Sequence, residues 1–546
     1  MKMQVWIVPR GVALSTSAIM IIATWTVMIT GAGGVPDAAS AAIRINVSHT
    51  LNELEKTYAS FNIDASCNRG FHQTHFANPN LRAAARGLSP SKLLFGGSGH
   101  DYLVYGLSPG SPECSHLPPL TSCSYFTPGC LNATHWDNLY GLAEHSGSDF
   151  IFGVSFDLGV ACKKAGSSRT YHWNATNAAS LLSYLATKKQ RVFGFELGNE
   201  INNAGGPPCN LTADMQADAL VAFSKLVQAT LPETRLIGPD TGGRDPLPWL
   251  RAYLPTQAGA MLHAVTHHVY PGVSRSSYNA PEKLDGTADE ISWYTSVVKT
   301  LAPNAQIWAG EDGPKGGGDD GTCGKDSVCS TYASAVWYAD DLANWAKHGF
   351  VQYQRQTLFG GSYGLTASAT PHPQSALGAE EALLLRPGYY VNFLWKRLLG
   401  TRVLNASSTN RYVRSYAFTG VPPSPYAPRE CTEAGSVQLL LLNLRNHTSM
   451  SISFDFLSFG SLMRYTAWTL EPPKGDSAAG GGRSALNPFA SRARLNGKEL
   501  PQSVDLEPGA PEPAFLREVG AGTSGTVATG AELPPLSITF VCTQAL

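Results

Sequence analysis

Charge is scarce in this chain. Of its 546 residues only 15% are Asp, Glu, Lys or Arg, and 40 basic side chains against 41 acidic ones leave a formal net charge of −1. With no excess of either sign there is no long-range field to draw in a polyanion. Nucleic acid is therefore not an expected partner, and an anionic ligand would have to be read by local groups. None of the ten cysteines stands in a C-x-x-C pair, the spacing structural zinc favours, so disulfides are the better reading. No internal repeat is present, and beyond Ile29 no apolar run is long enough to span a bilayer.

The one long apolar run lies at the start. Lys2 and Arg10 precede it, Val12–Ile29 carries no charge and is apolar apart from its Ser and Thr, and small residues follow in G-A-G-G-V-P-D-A-A-S-A-A. This is the order of an export signal, with cleavage expected near Ala38–Ala42. The alternative is an uncleaved anchor that tethers the protein to a membrane, since the run is close to spanning length. Six N-x-S/T sequons, at Asn46, Asn132, Asn174, Asn210, Asn405 and Asn446, agree with export and with a glycosylated surface. The expected location is extracellular or the lumen of an endomembrane compartment such as a lysosome or vacuole.

After the signal, short β-branched or aromatic runs alternate with helical stretches. Candidate strands fall at Ser60–Asp64, Lys92–Gly97, Asp149–Phe156, Val192–Leu197, Thr234–Asp240, Ala264–Tyr270, Gln306–Glu311 and Val351–Leu358. Ala213–Thr230, Ala288–Leu301 and Tyr332–Lys347 carry apolar residues at helical spacing. Eight such strands point to an α/β fold, a (β/α)8 TIM barrel over residues 58–400. An open doubly wound sheet would want a Gly-rich phosphate loop after its first strand, and N-I-D-A-S-C-N-R-G does not supply one. From residue 401 to 546 strands follow one another without helices, as in V-Q-L-L-L-L-N-L and S-I-T-F-V-C, which predicts a β-sandwich. Glu471–Arg483 and Glu507–Pro535 read as loops within it. Residues 43–57 form an N-terminal strand region expected to join the sandwich, and Cys431 and Cys542 stand where a bond would staple it.

In such a barrel, reactive side chains sit at the C-terminal ends of the strands. Glu200 follows the fourth candidate strand in F-E-L-G-N-E, and Glu311 ends the seventh in I-W-A-G-E-D-G. Two carboxylates at one rim are what glycoside hydrolysis requires, one to protonate the leaving oxygen and one to attack the anomeric carbon or activate water. Alone, either glutamate reads as a solvated loop residue; together the pattern is specific.

These blocks resemble the retaining (β/α)8 glycosidases that carry an Asn-Glu acid/base on strand four and a Glu nucleophile on strand seven. Within them the chain is similar to glycoside hydrolase family 79, the heparanase-like β-glucuronidases. The carrying segments are L-R-A-A-A-R-G-L-S-P-S-K-L-L-F-G-G, F-E-L-G-N-E-I-N, V-T-H-H-V-Y, I-W-A-G-E, R-Q-T-L-F-G-G-S-Y-G-L and L-W-K-R-L-L-G-T-R-V-L. The resemblance implies Glu200 as acid/base, Glu311 as nucleophile, and Asn199 on the sugar 2-hydroxyl. It implies Tyr270, or His268 beside it, orienting the nucleophile, and Asp64 on sugar hydroxyls. It also implies Gly316 and Gly317 as backbone donors to a glucuronate carboxylate, with Gly361 and Tyr363 as a wall of that pocket. The implied substrate is a β-linked glucuronic acid or its 4-O-methyl form in a glycan or glycoconjugate. The chemistry needs no metal and no organic cofactor.

Departures narrow the expectation. The loop after Glu311 reads D-G-P-K, and D-T-G-G-R-D at Asp240–Asp245 lacks the Gln and Arg that read sulfated sugar in heparanase, although Arg244 is close. The basic excised insertion of animal heparanase is replaced by a short Cys/Pro-rich stretch, Ser108–Cys130. The likeness is thus to the plant-type branch, without two-chain maturation and without heparan sulfate as the expected substrate. Competing readings are a barrel glycosidase of other sugar specificity and a silent carbohydrate-binding or adhesion protein. Glu196, inside strand four, is expected to pair with Arg355 rather than to catalyse. His267 and His268 lack a third metal ligand and are expected to hydrogen-bond. His100 is expected either at the cleft or as a satisfied structural histidine. Asp319 and Asp320 are expected to be solvated. Cys323 and Cys329 could pair locally, and Cys67 is a candidate free thiol. The oligomeric state is left open.

Overall fold

The computed structural model describes residues 39–66, 70–107, 129–156, 160–165, 168–203, 211–243, 245–315, 328–370, 376–457, 463–475, 486–507 and 509–545. The apolar run at the start, Gly316, Gly317, Asp319, Asp320, Arg244, Asn210, Cys67 and Cys323 lie outside the described residues. Among the described residues no helix is long and apolar enough to cross a membrane.

Eight parallel strands close into a barrel: Ser60–Asp64, Ser91–Gly96, Ser148–Val154, Gly194–Leu197, Arg235–Ile237, Ala264–Val269, Gln306–Asp312 and Gln352–Phe359, in sequence order around the ring. They are called the first to eighth barrel strands below. All eight strands expected from the sequence are present, each within a few residues of its expected ends. Their inner faces are layered. At the N-terminal end Leu94, Ile151, Ile237, Ala264 and Trp308 form an apolar plug, with Phe193 and Val351 packed against it. Higher up the inner residues turn polar, and the C-terminal mouth is lined by acids and a histidine. The plug removes apolar area from water and so holds the ring shut, which frees the upper layer for chemistry.

Helices surround the ring. Ala213–Thr230 and Tyr332–Lys347 have the ends expected from the sequence, while the helix expected from Ala288 begins earlier, at Pro281, and runs to Leu301. Proline in the first turn costs no hydrogen bond, which is why the helix starts there. Tyr332–Lys347 is buried on every side from Tyr332 to Ala346. It is wedged between barrel and sheet, where Asp340 meets Tyr416 Oη at 2.6 Å and Arg414 Nε at 3.2 Å.

The β-rich part is one continuous sheet of eleven strands that curls over itself. One core inside the curl joins Ile452 and Phe456 from near one end of the sheet to Met463 and Ala467 from near the other. Strand Val437–Asn443 shows why its leucine run is unbroken. Leu439 and Leu441 face this inner core, whereas Leu440 and Leu442 face the barrel's core, so both sides of the strand are buried. Ser40–Glu53 lies within the sheet, antiparallel to Arg402–Ser408 and parallel to Met450–Leu457. The tract expected as a loop at Glu507–Pro535 contains two short strands, Thr523–Thr526 and Ala531–Leu533. The first pairs with Met463–Glu471 and the second with Met450–Leu457; Gly, Ser and Thr gave no apolar alternation by which to find them. Cys431 and Cys542 form a disulfide that closes a loop of sequence separation 111. Cys130 and Cys329 each take part in a further disulfide.

Candidate active site

Strand four stops at Leu197 because the chain turns there. Gly198 has φ +82°, and Glu200 itself has φ +48°, a left-handed conformation uncommon for a side-chain-bearing residue. The Glu200 N–H donates to Asp240 O at 2.9 Å, which holds the turn. The regular alternation that would have stacked Glu200 over Glu196 is therefore broken, and the two acids reach the barrel centre separately.

Strand seven needs a different device. Against strand six, His267 pairs with Ala309 but His268 pairs with Glu311, so Gly310 is an extra residue, a bulge. Period-two alternation would put Glu311 on the outer face with Ala309; the bulge flips it inward. Glycine is required there. A methyl group on Gly310 would lie 2.9 Å from Thr266 Cβ and 3.3 Å from His268 Nε2.

The result is a cluster of acids around one imidazole. His268 Nδ1 stands 2.9 Å from Glu200 Oε1 and 3.3 Å from Glu311 Oε2, and its Nε2 stands 2.6 Å from Asp240 Oδ1. Each carboxyl thus has an oxygen in contact with the same ring nitrogen, a closeness that suits the short carboxyl separation of retaining glycosidases. Tyr270 Oη donates to Glu311 Oε1, and Asn203 Nδ2 donates to Glu200 Oε2 at 3.1 Å. The Glu200 side chain keeps 22% of its area exposed, against 9% for Glu311, 3% for Asp240 and 1% for His268, so Glu200 faces the cleft and the others lie beneath it.

Burial pushes the Glu311 carboxyl up to about 8, against the pull of His268. Burial acts the same way on Glu200, but the hydrogen bond and charge of His268 and the Asn203 amide outweigh it, and Glu200 lies below its usual range. Burial disfavours charge on His268 too. The carboxylates of Asp240 and Glu311 overcome that and hold the imidazole well above its usual value.

The other expected site residues take these places. Asn199 is buried, its N–H donating to Asp101 Oδ2 at 2.9 Å and its Nδ2 to Ser98 Oγ at 3.4 Å. Asp101 Oδ1 also accepts from Phe156 N at 3.0 Å, so one carboxylate ties the loops after strands three and four. Asp64, at the end of strand one, accepts from Ser66 N at 2.8 Å and Gln356 Nε2 at 3.0 Å. The Tyr363 ring lies 6.4 Å from that of Tyr270, and the Gly361 carbonyl accepts from Arg386 Nη1 at 3.4 Å. Asn132 caps the helix Ala133–Ser146 through His135 N, Asn174 and Asn405 are exposed, Asn46 is half-buried, and Asn446 accepts from Tyr278 Oη at 2.9 Å. Among the described residues no cluster of His, Cys, Asp or Glu has the form of a metal site.

The expected Glu196–Arg355 pair does not form. Arg355 points out of the barrel, donating to Asp312 O at 3.1 Å and Tyr363 O at 2.9 Å beside Trp337 and Tyr338. Glu196 points in, where burial and then the neighbouring Asp240 push its carboxyl well above the usual range. Inward and outward positions on two strands cannot meet across the wall. His100 is fully buried against Gly153 and Asp101, and desolvation lowers it to about 4. Asp240 was legible by the same rule as Glu311, an acid at a strand's C-terminal end, and was missed as a site residue.

Two expectations follow from this packing. A Cβ on Gly242 would lie 2.1 Å from Glu200 Cδ, the end of a flexible side chain on a half-exposed loop. Gly242→Ala should therefore leave the melting temperature nearly unchanged but displace Glu200. A fall in kcat on the order of 10²-fold is expected for a displacement of about 1 Å. Wild-type kcat in a folded Gly242→Ala variant would refute this placement. The second concerns pH. Burial, with acidic neighbours, raises Asp312 well above its usual range and Asp341 to about 7, as it does Glu196 and Glu311. A raised carboxyl stabilises the fold fully below its unfolded value near 4, and that contribution is lost as pH rises through the folded value. Thermal melts should fall by on the order of 5 °C from pH 5.5 to pH 8.5, and Asp341→Asn should flatten the slope. A melting temperature that rises over that interval would contradict the assignment.

Comparison with known proteins adds three findings. A family model described as "Glycosyl hydrolase family 79, N-terminal domain" matches residues 58–343. Heparanase-like protein 3 of Arabidopsis thaliana is 27% identical over 387 residues, covering 68% of this chain and 66% of that protein, so the chain spans just under two thirds of that relative. Heparanase of Gallus gallus is 27% identical over 461 residues (76% and 82%), and Baicalin-beta-D-glucuronidase of Scutellaria baicalensis 26% over 412 residues (70% and 71%). In fold the chain is similar to an α-L-arabinofuranosidase from Thermotoga maritima, with TM-score 0.61 at 12% identity over 93% of this chain and 100% of that one. A Paenibacillus polymyxa xyloglucanase of glycoside hydrolase family 44 gives TM-score 0.58 at 12% identity, with the same coverage of both chains.

Proposed function

The chain belongs to glycosyl hydrolase family 79, and from that premise we propose that it is a retaining glycosidase that releases β-linked glucuronic acid, or its 4-O-methyl form, from glycans or glycoconjugates. The observation that carries the proposal is the meeting of Glu200 and Glu311 at one His268 nitrogen, 2.9 and 3.3 Å away. That closeness is what a retaining mechanism uses and favours direct attack by Glu311.

In the first displacement Glu311 attacks the anomeric carbon while Glu200 protonates the departing oxygen. In the second, Glu200 takes a proton from water, whose oxygen releases the sugar from Glu311. Tyr270, whose phenol burial holds well above its usual value, stays a hydrogen-bond donor to Glu311 throughout. Without substrate, burial favours the proton on Glu311 and His268 favours charge on Glu200, whereas the first step needs the reverse. Both distributions hold one proton between the two carboxyls.

The glucuronate reading draws on the relatives named heparanase and baicalin-β-D-glucuronidase, and on the sequence resemblance that makes Gly316 and Gly317 backbone donors to a carboxylate. Export to an oxidising compartment is part of the same proposal, supported by the Cys431–Cys542 disulfide and the sequons. The test is a panel of aryl β-glucuronide, β-glucoside, β-xyloside and α-L-arabinofuranoside, with the first-formed anomer followed by NMR. Preference for the glucuronide with β-glucuronic acid released first is expected. Preference for another sugar, or release of the α-anomer, would overturn the substrate or the stereochemistry respectively. Glycan binding without turnover at any pH would favour a carbohydrate-binding protein instead.

A further inference from the structure

Asp240 has no part in the two displacement steps above, yet it holds both sides of the proton pair. Its carbonyl accepts from Glu200 N at 2.9 Å, and its Oδ1 meets His268 Nε2 at 2.6 Å. Its own N–H donates to Thr266 Oγ1 at 3.1 Å, which fixes a left-handed backbone of φ +58°. Asp tolerates that conformation better than most residues, and such strain persists only where the surroundings impose it. Gly310 keeps the space clear, since a methyl there would lie 3.2 Å from Asp240 Oδ1 and 3.3 Å from His268 Nε2.

We propose that Asp240 is a positioning residue of the reaction: by anchoring Nε2 of His268 it presents the opposite ring nitrogen to Glu200 and Glu311 together, so that one proton passes between the two glutamates through Nδ1. The inference rests on the two-glutamate reading given above. With Nε2 committed to a short, charge-assisted contact the ring cannot flip, and Nδ1 is the only atom left to face the glutamates. The groups that face His268 are Asp240 beyond strand five, Glu200 and Glu196 from strand four and its loop, Glu311 from strand seven, and His100 from beyond strand two. Asp64 and Tyr270 act on it through Glu311. The Asp240 and Glu200 carboxylates, in contact with Nε2 and Nδ1, favour the charged ring, in which Nδ1 bears a hydrogen.

The exchange balances. Nδ1–H gives its proton to Glu200 Oε1, breaking an N–H and forming an O–H bond. The Glu311 carboxyl then gives its proton to Nδ1, breaking an O–H and restoring the N–H. The ring ends as it began, Glu200 is protonated for acid catalysis, and Glu311 is ionised for attack. Nothing else is consumed.

Asp240→Asn keeps the shape and an acceptor oxygen but removes the charge. Its kcat on an aryl glucuronide with a poor leaving group should fall on the order of 10²-fold, with KM within about threefold. The alkaline limb of its pH profile should move down by about one unit. Ring NMR of histidine-labelled protein, with the His268 signal identified by its loss in His268→Gln, should show His268 charged at pH 7.5 in the wild type and neutral in Asp240→Asn. An unchanged His268 charge together with an unchanged pH profile overturns the proposal, even if kcat drops. If Asp240→Asn does not fold, Gly310→Ala presses on the same contact and should shift the same signal. If the wild type cleaves no glucuronide, the substrate reading fails while the NMR result still decides the role of Asp240.

Discussion

Glu311→Ala should lower turnover of an aryl β-glucuronide by about 10⁴-fold or more, because no other group can form the covalent intermediate. Two other carboxylates at this end of the barrel, Asp64 and Asp240, are both occupied. Asp64 accepts from Ser66 N and Gln356 Nε2, and Asp240 is bound to His268. Folding should survive. Glu311 is a buried carboxyl that burial has already pushed up to about 8, so its removal relieves a cost that grows with pH. Glu311→Gln, which keeps the volume and an acceptor for Tyr270, should be as inactive. Melting temperatures within a few degrees of the wild type, with activity lost in both variants, are the expected pair of results. Residual activity near the wild-type value in either would remove Glu311 from the mechanism and with it the proposed function.

Much of this site could be read from the chain, for identifiable reasons. Barrel strands carry dense β-branched and aromatic residues whose ends are marked by Gly, Pro and acids, so both glutamates could be placed at the rim. What sequence could not give was the direction of each side chain. Alternation put Glu196 and Glu200 on one face, but the left-handed turn at Gly198 and Glu200 breaks it. Alternation also points Glu311 outward, and only the Gly310 bulge brings it in. Both devices are single-residue departures from period two, which no hydrophobic pattern records. Arg355 was placed against Glu196 for the same reason, since the wall between inward and outward positions is invisible in a linear chain. Asp240 ends the expected strand Thr234–Asp240 just as Glu311 ends Gln306–Glu311, but it stands in none of the segments that carry the family resemblance, so nothing singled it out. The curled sheet was legible as strands but not as one sheet, because its closure depends on contacts between its two ends.

Glu200→Ala should behave differently from the nucleophile variants, and the difference tests which acid is which. A glucuronide with a poor leaving group, such as an alkyl alcohol or a neighbouring sugar, needs the proton Glu200 supplies, so kcat/KM should fall by about 10²–10⁴-fold. An activated aryl leaving group departs without it, and its kcat/KM should fall far less. For that substrate the second step, which has lost its general base, becomes rate-limiting. The glycosyl-enzyme on Glu311 then accumulates, KM drops, and added azide, which needs no base to attack, should restore turnover with net retention. The position of Glu200 supports this division of labour. It is the more exposed of the pair at 22%, where a departing group and a water molecule can reach it, while Glu311 at 9% is fixed from below by Tyr270 and His268. Equal losses for good and poor leaving groups would show that Glu200 is not the proton donor. The cluster would then have to be reassigned, with Glu196 as the remaining carboxyl at the barrel centre whose protonated form burial favours.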